Sequence, residues 1–213
     1  MSVAIGVDIG QSVDPTAIVM LDTDRPEPTD RDDQPELRHL IRWIERVPLG
    51  TSYDQVVERI AQVAEASRSW GDPLIVLDAT GVGRPIVDLL KCRTGVPLRA
   101  VTFTSGDREV QPEYNVHRVP KRDLVTALEV VLQARRIEVV PDCPLQPDLQ
   151  AELGSFDFGI SARGHDTYEA ASGSHDDLVM ALSLAVWWGG RSEVGAGHAF
   201  MEAWRRHTAG RRP

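Results

Sequence analysis

The sequence predicts one mixed α/β domain, a sheet that opens with three antiparallel strands and carries helices on both faces. Three observations support this. The first 47 residues hold three β-branched runs separated by turn-rich or acidic stretches. From Thr51 onward, helix-period segments alternate with short, wholly apolar runs of the kind that form central strands. Near the end, Leu178 to Trp188 is apolar on nearly every side when read as a helix, so the segment is a buried one.

Taken in order, Val3 to Asp8 forms the first strand and Thr16 to Leu21 the second, with Gln-Ser-Val-Asp-Pro as the turn between them. Asp22 to Glu36 carries seven acids and three prolines and reads as a solvated loop; the third strand runs from Leu37 to Val47. Thr51 and Asp54 suggest a capping box for a helix in which Val56, Val57, Ile60, Val63 and Ala64 recur at helical spacing up to Trp70. Leu74 to Leu77 is a buried strand ending in Asp78, followed by a glycine-rich turn, a helix from Pro85 to Lys91 and a strand from Leu98 to Phe103. A helix over Lys121 to Arg135, a strand over Ile137 to Val140 and a short helix over Pro147 to Leu153 come next. Ser155–Ser161 and His165–Ala170 read as two strands, Ser174 as the cap of the apolar helix, and Ala199–His207 as a last short helix. No repeat or internal boundary is visible. Residues 1–190 form the expected domain, with the acidic loop at 22–36, and 191–213 an extension whose Arg205, Arg206, Arg211 and Arg212 make a basic tail.

Composition narrows the function classes. With 42% hydrophobic and 26% charged residues the chain is an ordinary globular sequence, and no apolar run approaches the roughly 20 residues that cross a membrane. The first residues lack a signal peptide's basic region, and two cysteines, Cys92 and Cys143, make neither a disulfide framework nor a zinc cluster. A cytoplasmic protein is expected. The net charge of −9 repels nucleic acid in bulk, which counts against a free-standing DNA-binding module but less against an enzyme whose acidic site is offset by cations.

Carboxylates at the ends of buried elements carry the chemistry. Asp8 closes the first strand, Asp78 closes the short apolar strand, and Asp176 and Asp177 open the last long helix. Singly, each has a structural use in a turn or a cap. Together they have another, because ligand sites in α/β sheets gather at the carboxyl ends of adjacent strands. Carboxylates converging there repel one another, and divalent cations with a taste for hard oxygen ligands, Mg²⁺ or Mn²⁺, relieve that repulsion. Two such ions about 4 Å apart are suited to phosphodiester cleavage.

Three motifs in this order resemble the nuclease domain of tailed-phage large terminase subunits, which has the RNase H-like fold. They are Asp-Ile-Gly-Gln-Ser-Val-Asp-Pro-Thr-Ala at Asp8, Leu-Asp-Ala-Thr-Gly-Val-Gly at Leu77, and His-Asp-Asp-Leu-Val-Met-Ala-Leu-Ser-Leu-Ala at His175. Ile-Glu-Val-Val-Pro and Glu-Leu-Gly-Ser-Phe further along are also similar to the family's later segments. The resemblance implies a divalent-metal-dependent DNA endonuclease with Asp8, Asp78 and Asp177 as the metal-binding triad and Asp176 as a fourth ligand. It implies His175 beside the ions or as an occasional ligand, with a plain helix-start residue as the other reading, and Lys121 as a contact to a DNA phosphate, although a solvated lysine is the plainer reading. Asp14, in the turn beside Asp8, reads either as a neighbour of metal or substrate or as part of an ordinary Asp-Pro turn. His117 and His165 are expected in exposed loops.

The family's ATPase motor has no counterpart, because Gly-x-x-x-x-Gly-Lys-Ser/Thr is absent. The expected partners are therefore double-stranded DNA and a separate motor, small terminase subunit or portal, in the host cytoplasm and with no membrane. Three other readings stay open: a junction-resolving or repair nuclease of the same fold, an actin- or sugar-kinase-like ATP-binding protein, and a non-catalytic phage structural protein.

Overall fold

The first strand, β1 (Ser2–Asp8), lies at the middle of the sheet. It pairs antiparallel with β2 (Thr16–Asp24), which pairs antiparallel with β3 (Arg38–Val47). A computed structural model describes residues 2–10, 14–24, 37–81, 83–106, 108–156 and 175–191. On its other side β1 pairs parallel with β4 (Asp72–Asp78), in register from Ser2↔Asp72 to Val7↔Leu77. β4 pairs parallel with β5 (Leu98–Thr104) and β5 with β7 (Val116–Pro120), which forms a hairpin with β6 (Val110–Glu113). A short parallel strand, β8 (Ile137–Val139), closes the far edge beside β3. The order is β6-β7-β5-β4-β1-β2-β3-β8.

Alternation along the strands builds two cores. Ile5, Val7, Ile18, Ile75 and Leu77 point to one face, where α1 (Tyr53–Ala66) and α2 (Gly83–Arg93) cover them. Ala4, Val19, Ile44, Val76 and Val101 point to the other, under α3 (Lys121–Gln133), α4 (Gln146–Ser155) and α5 (residues 177–191). The expected arrangement, three leading antiparallel strands and helices on both faces, is present.

Several local expectations are corrected. The cap of α1 is Ser52 with Gln55, one residue beyond the expected Thr51 and Asp54, because the Thr51 hydroxyl already donates to the Pro48 carbonyl at 2.6 Å. β2 continues to Asp24, so the acidic segment does not begin at Asp22; that carboxylate is buried because Arg42 donates to it at 2.7 and 3.1 Å. Ser155 ends α4 instead of starting a strand. The β6–β7 hairpin was not anticipated. It takes His117 out of the exposed loop expected for it and buries it edge-on to Trp187 and Trp188, at 5.5 and 5.8 Å between ring centroids. The remaining parts of the expected strands around 162–164, His165, Ser174, the 25–36 part of the acidic loop and the 192–213 extension lie outside the described residues. No helix among the described residues is long and apolar enough to cross a membrane.

Candidate metal centre

Strand parity decides which side chains meet. Gly6 and Asp8 share the face covered by α5, and parallel pairing brings Asp78 beside Asp8 at the carboxyl ends of β1 and β4. The two carboxyls crowd each other there, and each raises the cost of ionising the pair. Burial, then the charges of Asp78, Asp176 and Asp177, push the Asp8 carboxyl well above the usual range, with Lys121 opposing. Burial also raises Asp78, against the lowering effect of its hydrogen bonds to Thr80 and Asp8 and of Lys121. Thr80 holds Asp78 in place: its N–H and hydroxyl both donate to Oδ1, at 2.8 and 2.5 Å, while the hydroxyl accepts the Phe103 N–H at 2.8 Å. That is an Asx-type turn, not a cap of the following helix.

α5 delivers the other carboxylates. Its backbone lies so close to β1 that a Cβ on Gly6 would stand 1.9 Å from the Ala181 carbonyl oxygen. Only glycine permits this approach, and the approach brings the start of α5 to the level of Asp8. The first intrahelical bond runs from the Met180 N–H to the Asp176 carbonyl at 2.8 Å, which makes Asp176 the N-cap position. Its side chain is half-buried and takes the Lys121 ammonium at 3.3 Å. Lys121 is thus part of the centre and not a solvated lysine; it sits where β7, two strands from β4, runs into α3.

Asp177 is buried and turned to Arg46, whose Nε donates to Oδ2 at 2.8 Å and Nη2 to Oδ1 at 3.3 Å. Arg46 also pairs with Glu152 and lies 3.6 Å from Asp148. The register Asp8↔Ala17↔Arg46 puts this arginine on the same row as Asp8, two strands away, about 10 Å. Arg46 and Glu152 were missed by the sequence reading. The signal for Arg46 was a cation in phase with the buried Ile44 on the inward face of β3, a position that demands a buried acid. Glu152 left no such trace. Asp14 and His175 approach each other at the surface, Nδ1 to Oδ1 3.6 Å, both exposed.

Asp8, Asp78 and Asp176 therefore converge, with Lys121 between them, while Asp177 faces the interior. Among the described residues no three His, Cys, Asp or Glu side chains already surround a single point in the manner of a formed metal site. The donor set nevertheless suits a hard divalent ion: crowded, desolvated carboxylate oxygens, with Lys121 as the relieving cation among the described residues.

Comparison with known proteins agrees with the fold. No family model matches the chain. It is 25% identical over 185 residues to the large terminase subunit of Thermus phage G20c, an alignment covering 85% of this chain and 30% of that protein, so the chain spans less than a third of the curated relative's length. Its structure is similar to the large terminase nuclease of thermophilic phage G20c, solved with bound cobalt, with TM-score 0.60, 24% identity, and coverage of 86% of this chain and 79% of that one. It is also similar to the human cytomegalovirus terminase nuclease domain, soaked with manganese, with TM-score 0.53, 13% identity, and coverage of 86% and 81%. The RNase H-like α/β fold is shared, and the resemblance read from the three motifs holds at the level of fold and sequence.

Proposed function

We propose that this chain is a divalent-metal-dependent DNA endonuclease of the terminase nuclease type, acting as one domain over residues 1–190. The observation that carries the reading is the adjacency of Asp8 and Asp78 at the carboxyl ends of neighbouring parallel strands, with Asp176 near enough to raise Asp8 and Lys121 the counter-charge among the described residues. Their oxygens would hold Mg²⁺ or Mn²⁺, two ions in all. Bound there, the ions lower the pKa of a water and stabilise the leaving oxygen of a phosphodiester.

The chain's own residues do the rest. Thr80 fixes the orientation of Asp78, and the helix start fixes Asp176. Of the two adjacent aspartates, Asp176 takes the ion-facing role, because both oxygens of Asp177 are occupied by Arg46; Asp177 acts as the anchor that locks α5 to β3. Lys121, which pairs with Asp176, would offer its ammonium to a phosphate oxygen of the DNA. Asp14 and His175, in contact with each other, would stand beside the ions. The similarity to large terminase subunits supports double-stranded DNA as the substrate, delivered in a host cytoplasm by a motor, small subunit or portal.

Nicking of supercoiled plasmid tests the proposal. The protein should cut in Mn²⁺ or Mg²⁺ and stop on adding EDTA. Asp8→Asn should lose at least about 100-fold in rate with an unchanged circular dichroism spectrum. Undiminished cutting by that variant sinks the assignment, and preference for four-way junctions over linear duplex redirects it to a resolvase.

A further inference from the structure

We infer that Glu152 is a positioning residue that takes over the capping of α5 and thereby frees Asp176 for the metal. An aspartate at an N-cap ordinarily turns its carboxylate onto the N–H groups two and three residues on. Here those groups belong to Leu178 and Val179, and both donate instead to Oε2 of Glu152, at 3.1 and 3.2 Å. Glu152 comes from α4, is buried, and is neutralised through its other oxygen, Oε1, by Arg46. Each of its oxygens has a separate task. With its usual partners taken, the Asp176 carboxylate is left for the cleft, where Lys121 pairs with it.

The geometry implies a competition. If Glu152 is lost, the free amides of α5 recapture Asp176, since the side chain is already at the position from which caps act. The helix then survives, while the cleft loses a ligand. The inference rests on the reading of Asp176 as a metal ligand, but the cap exchange is visible without metal.

The test is a double-mutant cycle with Glu152→Ala and Asp176→Ala, read by thermal melts of the metal-free protein and by Mn²⁺ calorimetry. Alone, Asp176→Ala should leave the melting temperature within about 1 °C of the parent; in the Glu152→Ala background it should lower it by about 2–4 °C. Mn²⁺ affinity should fall about 10–100-fold in Glu152→Ala, with little further loss in the double variant. Glu152→Gln, whose carbonyl oxygen still accepts both amides, should stay within a few-fold of the parent, and it carries the test if Glu152→Ala fails to fold. Equal melting losses in both backgrounds, or Glu152→Gln as weak for Mn²⁺ as Glu152→Ala, would overturn the inference. A parent protein that binds no Mn²⁺ would overturn the functional reading instead, with the melts still reporting on the cap.

Discussion

At the scale of single residues, the aspartates were legible and their supports were not. Asp8 and Asp78 stood out because an acid closing an apolar strand has few structural excuses. Asp176 and Asp177 were visible as a pair, yet the turning of Asp177 toward the interior depends on Arg46, 131 positions away from it in sequence. Nothing local encodes such a contact. Thr80 is a similar case: in sequence it is one residue of a glycine-rich turn, and in the structure its hydroxyl ties Asp78 to the backbone of β5. Thr80→Val should destabilise the protein by about 1 kcal/mol, the usual net worth of a lost hydrogen bond, and slow plasmid nicking about 10-fold by loosening the support of Asp78. Thr80→Ser should restore both, as measured by urea denaturation and initial rates; a Thr80→Val protein that cuts at the parent rate would remove Thr80 from the account.

At the scale of elements, α5 and β1 behave as one unit because Gly6 lets their backbones touch. A methyl group there meets the Ala181 carbonyl and has no flexible side chain to displace. Gly6→Ala should therefore lower stability by about 1–3 kcal/mol, the range for overpacking, and weaken Mn²⁺ binding more than its stability loss alone accounts for, since Asp176 moves with the helix. Calorimetry beside urea denaturation checks this, and an unchanged Mn²⁺ affinity would show that α5 can shift without disturbing the site. The strong periodicities of α1, α3 and the leading strands made these elements readable. The β6–β7 hairpin was not, because Val110–Glu113 is exposed along its whole length and lacks the apolar alternation by which strands are recognised. It matters nonetheless, since β7 carries the chain into Lys121.

At the scale of the whole molecule, two buried histidines weaken the fold in acid, while the raised Asp8 and Asp78 carboxyls act in the opposite direction. Burial, with the Arg136 charge adding to it, lowers His39 to about 4; burial also lowers His117, Glu109 opposing and Arg191 and Arg99 adding. Each is neutral in the fold and takes up a proton more readily once unfolded, so the stability they contribute is present above about pH 6.5 and drains away as pH falls toward 4. In melts from pH 7 to 4, His39→Gln should gain stability relative to the parent as pH falls; a pH-independent difference between the two proteins would exclude His39 as a contributor. The fold itself was readable because its logic is one of sequence period and burial, whereas the centre was only half readable because it depends on register across three strands, Asp8↔Ala17↔Arg46. The wide separation of its parts has a further consequence during synthesis. Asp8 lies on the first strand and Asp176 at the head of α5, and a ribosome adding about 5–20 residues per second spends roughly 10–30 s between them. Throughout that interval the nascent chain carries Asp8, joined partway by Asp78, without Asp176, so the carboxylate cluster comes into being only when the head of α5 has been made.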